Sequence, residues 1–179
     1  MAPIFQNGAN NISTSTKNMR KIIIGVMGPG EKATPTDIEN AYQLGKRIAE
    51  QGWVLLTGGR NVGVMEAASQ GAKANNGLTI GILPGNNDKG ISEAVEIAIF
   101  TDMHNARNNI NVLSSDVVIA CGMGLGTASE VALALKSKKP VILLTDSESQ
   151  TFFKKMAPVY LADNVNTAIA IIENIVGAG

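Results

Sequence analysis

Three stretches of the chain hold the residue types that could grip an anion. TGGRNVG, residues 57–63, places Thr57, Gly58 and Gly59 before Arg60. Glycines let a backbone approach a ligand closely, the guanidinium can reach a negative charge, and the helix that follows would aim its unpaired amides at the same point. GMGLGTASE, residues 122–130, alternates Gly122, Met123, Gly124 and Gly126 ahead of Thr127 and Glu130. It reads as a strand-to-helix turn that cradles a phosphate, with Thr127 capping the helix and Glu130, three residues on, closing a capping box. The same glutamate is also a carboxylate free for chemistry. No lysine follows Gly126, so this is not a Walker A loop. TDMHNARNN, residues 101–109, puts His104 and Arg107 one helical turn apart. A lone histidine is expected at the surface. An arginine at a helix start opposes the helix dipole unless an anion comes with it, and Glu130 is the alternative partner.

A fourth loop, GPGEKA at 28–33, matches the Gly-x-Gly-x-x-Gly/Ala spacing of dinucleotide sites, but Pro35 delays the helix that should follow at once. Gly28 and Gly30 are therefore expected to line a ligand cleft without forming that fingerprint.

These loops need a scaffold, and the chain alternates accordingly. KIIIGVM, WVLLT, LTIGIL, EIAIFT, DVVIAC and PVILLT are apolar nearly throughout, as strands covered on both faces are. Between and after them lie PTDIENAYQLGKRIAEQG, VGVMEAASQGAKANNG, DMHNARNNINVLSS, GTASEVALALKSKK and DNVNTAIAIIENIVG, each with helical character. Pro35 suits the start of the first helix and Gly52 its end. The pattern predicts a Rossmann-like α/β fold, a doubly wound parallel sheet with helices on both faces and ligands at the carboxyl ends of its strands. Asp116 opens a strand at the opposite end and reads as structural. Residues 1–19 are rich in Asn, Ser and Thr and read as a flexible polar leader, with one domain over 20–179.

Bulk properties narrow the function. Zero net charge in 179 residues argues against a nucleic-acid footprint, and 45% hydrophobic content suits one globular core. One cysteine, Cys121, and one histidine exclude a disulfide framework and Cys/His metal sites within the chain. No secretory core or apolar run of membrane-spanning length is visible, and a cytoplasmic location is expected.

GGRNVGVMEAASQGAKANNGLTIGILPG, MHNARN and GMGLGTASE together resemble the Rossmann-like family that includes the Lonely-guy cytokinin-activating phosphoribohydrolases, the "lysine decarboxylase-like" proteins and molybdenum cofactor carriers. In the hydrolases an arginine and a glutamate form the catalytic pair, and the resemblance places Arg107 and Glu130 there, with Glu66 a further carboxylate nearby. Met123 stands where the hydrolases carry a glycine, and Asn108 where they tend to carry a lysine. The ungapped run from Met103 to Val141 is more similar to the carrier branch. That branch implies a non-catalytic cleft holding molybdenum cofactor by its phosphate and pterin through the loops above, homo-oligomers, and molybdoenzymes as acceptors. Cleavage of the base–ribose bond in a nucleoside 5′-monophosphate is the alternative.

Overall fold

The structure, a computed structural model, describes residues 20–177, so the polar leader lies outside the described residues. Seven strands form one all-parallel sheet: β1 (Ile23–Met27), β2 (Val54–Thr57), β3 (Thr79–Leu83), β4 (Ile97–Phe100), β5 (Val117–Cys121), β6 (Val141–Leu144) and β7 (Tyr160–Leu161). Six helices connect or follow them: α1 (Pro35–Glu50), α2 (Gly63–Lys73), α3 (Asn108–Ser114), α4 (Leu125–Lys136), α5 (Ser147–Met156) and α6 (Val165–Gly177). The spatial order is β4-β3-β2-β1-β5-β6-β7. Connections run outward from β1 to one edge and, after β4, return to its other side. The switch point therefore falls between β1 and β5, where the carboxyl-end loops diverge and leave a crevice.

The core has a layer on each face of the sheet. Ile24, Leu44, Val64 and Ile169 join α1, α2 and α6 to one face. Met27, Val112, Val131 and Phe153 join α3, α4 and α5 to the other. Thr34 caps α1 in a full capping box with Asp37, Pro35 opens the helix, and Gly52 turns the chain away at φ +71°. Asp116 accepts from the Ile23 amide at 2.9 Å and pairs with Arg20, fastening the amino ends of β1 and β5.

The structure departs from the sequence reading in two places. α5 and β7 carry no clear apolar period, since Phe153 is the only fully buried side chain of α5. β4 is apolar in sequence but lies at the sheet edge, where Ile97, Ile99 and Phe100 are exposed instead of covered on both faces. No helix of the described residues is long and apolar enough to cross a membrane.

Candidate functional site

A cavity of about 320 Å³ opens at the switch point above β1 and β2. Gly28, Gly30, Gly58 and Arg60 line it from the first two strand-exit loops, and Arg107, Gly124, Gly126, Thr127 and Glu130 from the far side. Four other residues expected there lie elsewhere. Thr57 is fully buried and accepts from the Gly59 amide at 3.0 Å. Gly59 packs on Gly81, and Gly122 and Met123 line a separate depression beside Asp37. The thioether of Met123 is thus no obstruction in the main cavity.

The far wall begins where β5 ends. Gly122 has φ +72°, and a Cβ there would meet the Asp37 carboxyl carbon at 2.5 Å, so only glycine fits. Gly124 then caps α4 from an extended conformation and offers no side chain to its amides. The first helical backbone bond runs from Ala128 to Gly124, at 2.8 Å, leaving the amides of Leu125, Gly126 and Thr127 without an acceptor among the described residues. Such a helix end attracts an anion.

This geometry corrects the capping-box reading. Thr127 sits in the first turn of α4, three residues beyond the cap position, and its hydroxyl is buried with no partner among the described residues. Glu130 instead accepts from Asn111 Nδ2 of α3 at 2.8 Å. Burial pushes its carboxyl up to about 7, against the opposing pull of Asn111 and Arg107.

The other wall behaves differently from the sequence expectation. The α2 terminus is occupied within the protein, because the Val64 amide donates to the Pro29 carbonyl at 3.0 Å and Gly63, at φ +55°, leaves no room for a Cβ against the Gly30 carbonyl. α2 therefore pins the glycine loop of β1 and leaves the anion-binding role to α4. Arg60 pairs with Glu31 across the rim at 2.6 Å. The loop's own backbone amide, and then Arg60, hold the Glu31 carboxyl below its usual range.

Arg107 arrives on a single 3-10 turn, His104–Arg107, entered through two non-glycine residues in the left-handed region, Asp102 at φ 51° before the turn and His104 at φ 48° as its first residue. Its guanidinium is buried, and Nη1 donates to the carbonyls of Gly58 and Ile82 at the ends of β2 and β3. Desolvation lowers its pKa, the neighbouring Glu130 charge opposes this, and no ion pair forms between the two. His104 is exposed and outside the cavity. Met27, Met65, Asn105, Glu31 and Lys32 also line the site and were not singled out from sequence. The GPGEKA loop contained the signal for Glu31 and Lys32; nothing local marked the methionines. Among the described residues no group of three His, Cys, Asp or Glu could hold a metal ion.

A profile of the SLOG cluster4 family matches residues 21–169, most of the chain. The chain belongs to the SLOG cluster4 family. Its SLOG cluster4 fold superposes with a TM-score of 0.87 on the molybdenum cofactor binding protein from Rippkaea orientalis, at 66% identity over 88% of this chain and 99% of that one. The Moco carrier protein from Chlamydomonas reinhardtii is 51% identical, with a TM-score of 0.85 over 89% of this chain and all of that one. A cytokinin riboside 5′-monophosphate phosphoribohydrolase from Mycobacterium tuberculosis is 34% identical over 105 residues, 55% of this SLOG cluster4 chain and 56% of the relative.

Proposed function

We propose that this protein binds and carries molybdenum cofactor in the switch-point cavity. The observation that carries the reading is the open amino end of α4, three amides and the partnerless Thr127 hydroxyl, facing a cavity of about 320 Å³. That donor set suits the cofactor's phosphate. The thioethers of Met27 and Met65, beside the backbone of Gly28 and Gly58, supply apolar surface for a flat ring. A carrier needs nothing that strains a bond, and Arg107 is engaged in tying two strand ends together. The high identity to proteins named for this cofactor supports the same reading. Delivery to molybdoenzymes, a cytoplasmic location and assembly as a homo-oligomer complete the proposal.

Nucleoside 5′-monophosphate hydrolysis is the second reading, favoured by the meeting of Arg107 and Glu130 in one cavity. A glycosidic transition state needs a carboxylate for the positive sugar and a cation for the phosphate. One experiment separates them. Protein purified from cells competent in cofactor synthesis is denatured and oxidised, and the released ligand is assayed for pterin fluorescence, while a second sample is incubated with purine and pyrimidine nucleoside monophosphates. The carrier reading expects pterin and no free base. Robust release of base, lost in Glu130→Gln, with no pterin at any loading, overturns it.

A further inference from the structure

The inner end of the cavity holds two charged side chains that are each tied down from behind. Glu130 is 7% exposed, and its Oε1 takes the Asn111 hydrogen bond while Oε2 meets no donor among the described residues. Asn111 is fully buried, with Oδ1 lacking a partner among the described residues. A dry amide oxygen destabilises a fold, so this arrangement gives up stability to hold one carboxyl oxygen toward the cavity. Arg107 is fixed from the other side: Nη1 is committed to Gly58 and Ile82, and Nη2 makes no hydrogen bond among the described residues. The two groups line one cavity without forming an ion pair, so an acceptor and a donor face the same space. Met27 and Met65 line the same cavity, and the Arg107 guanidinium and the Met65 sulfur pack where a Gly58 side chain would stand.

We propose that Glu130 and Arg107 read the edge of a 2-amino-4-oxopyrimidine ring, the ring common to pterins and guanine, with Glu130 Oε2 accepting from the ring N–H and amino group and Arg107 donating to the ring oxygen. That ring presents donor, donor and acceptor in sequence along one edge. Adenine places a ring acceptor beside its amino group and would face the carboxylate with a lone pair. The proposal rests on the carrier reading for what fills the cavity. It assigns to Glu130 a discriminating role in binding instead of a step in bond cleavage, and to Asn111 a positioning role through Glu130.

The test uses the full chain at pH 8, where a carboxyl held at about 7 is largely ionised. Inorganic phosphate, 6-hydroxymethylpterin, GMP and AMP are titrated separately by calorimetry. GMP should bind about tenfold or more tightly than AMP, which carries the same ribose 5′-phosphate, the discrimination typical of one well-formed pair of base-edge hydrogen bonds, and the pterin should bind without a phosphate. In Glu130→Gln, Asn111 still donates to the amide oxygen and the amide nitrogen turns a donor toward the ring, so the preference should fall to within about threefold. The ratio is read between titrations of one preparation, so a partly unfolded variant lowers every stoichiometry and leaves it unchanged. Phosphate binding with AMP as tight as GMP overturns this proposal alone, as does an undiminished GMP preference in Glu130→Gln. Failure of all four probes to bind overturns the carrier reading and the proposal with it.

Discussion

Thr127 and Glu130 are three residues apart and would satisfy a capping box if the helix began at the threonine, yet α4 starts two residues earlier at Leu125. That shift carries Thr127 inside the first turn and leaves its hydroxyl dry at the cavity wall. A buried hydroxyl without a partner is destabilising, whereas one bonded to an anion is worth about 1.5–3 kcal/mol. Thr127→Val should therefore leave the thermal midpoint unchanged or raise it, while weakening phosphate binding by about tenfold in a calorimetric titration. Glu130 makes a second prediction, in pH. Its carboxyl ionises near the ordinary range in the unfolded chain and at about 7 in the folded one. Between those values the unfolded chain binds fewer protons, so stability falls as pH rises from about 4.5 to 7, by on the order of 2–3 kcal/mol at most. Urea midpoints measured across that range should show the slope, and Glu130→Gln should flatten it. From sequence the residue types of the site could be read, because glycines, an arginine and a glutamate announce themselves. Their partners could not, since Arg107 is held by carbonyls 49 and 25 residues away and Glu130 by an amide on another helix.

At the scale of elements, α1 and α2 approach so closely that side chains are excluded on both sides. A Cβ on Gly45 would lie 1.9 Å from the Ala68 carbonyl oxygen, and one on Gly71 would lie 2.0 Å from that of Tyr42. Backbone cannot swing aside as a rotamer can, so Gly45→Ala must move a whole helix. Overpacking of this kind costs about 1–3 kcal/mol, and the urea midpoint should fall accordingly. The same displacement should weaken phosphate binding, because α1 carries the Asp37 against which Gly122 turns and α2 pins the loop at Pro29. Gly126→Ala is the control for stability, having open space at its Cβ position. Most elements were legible from their apolar runs, and Pro35 and Gly52 bracketed α1 as expected. α5 escaped notice because a helix that buries one phenylalanine leaves no period to see. β4 was recognised as a strand but not as an edge, because neighbour order depends on long-range pairing that composition does not encode.

The whole molecule places its only cysteine at the end of a central strand. Cys121 is fully buried, donates weakly to the Asp37 carbonyl at 3.5 Å, and is pushed up to about 12 by burial. A thiol in that state is a poor nucleophile and a poor ligand. Iodoacetamide at pH 8 should leave the native protein unlabelled for as long as the sheet stays closed. Its labelling rate in rising urea should track global unfolding measured by circular dichroism. The same burial has a bearing on traffic. A protein that offers no thiolate to a metal-bearing cargo forms no thiolate–metal bond that must later be broken. On the proposed carrier function, residence time then depends on phosphate and ring contacts, and a receiving site that supplies stronger ones can take the cargo without any redox event.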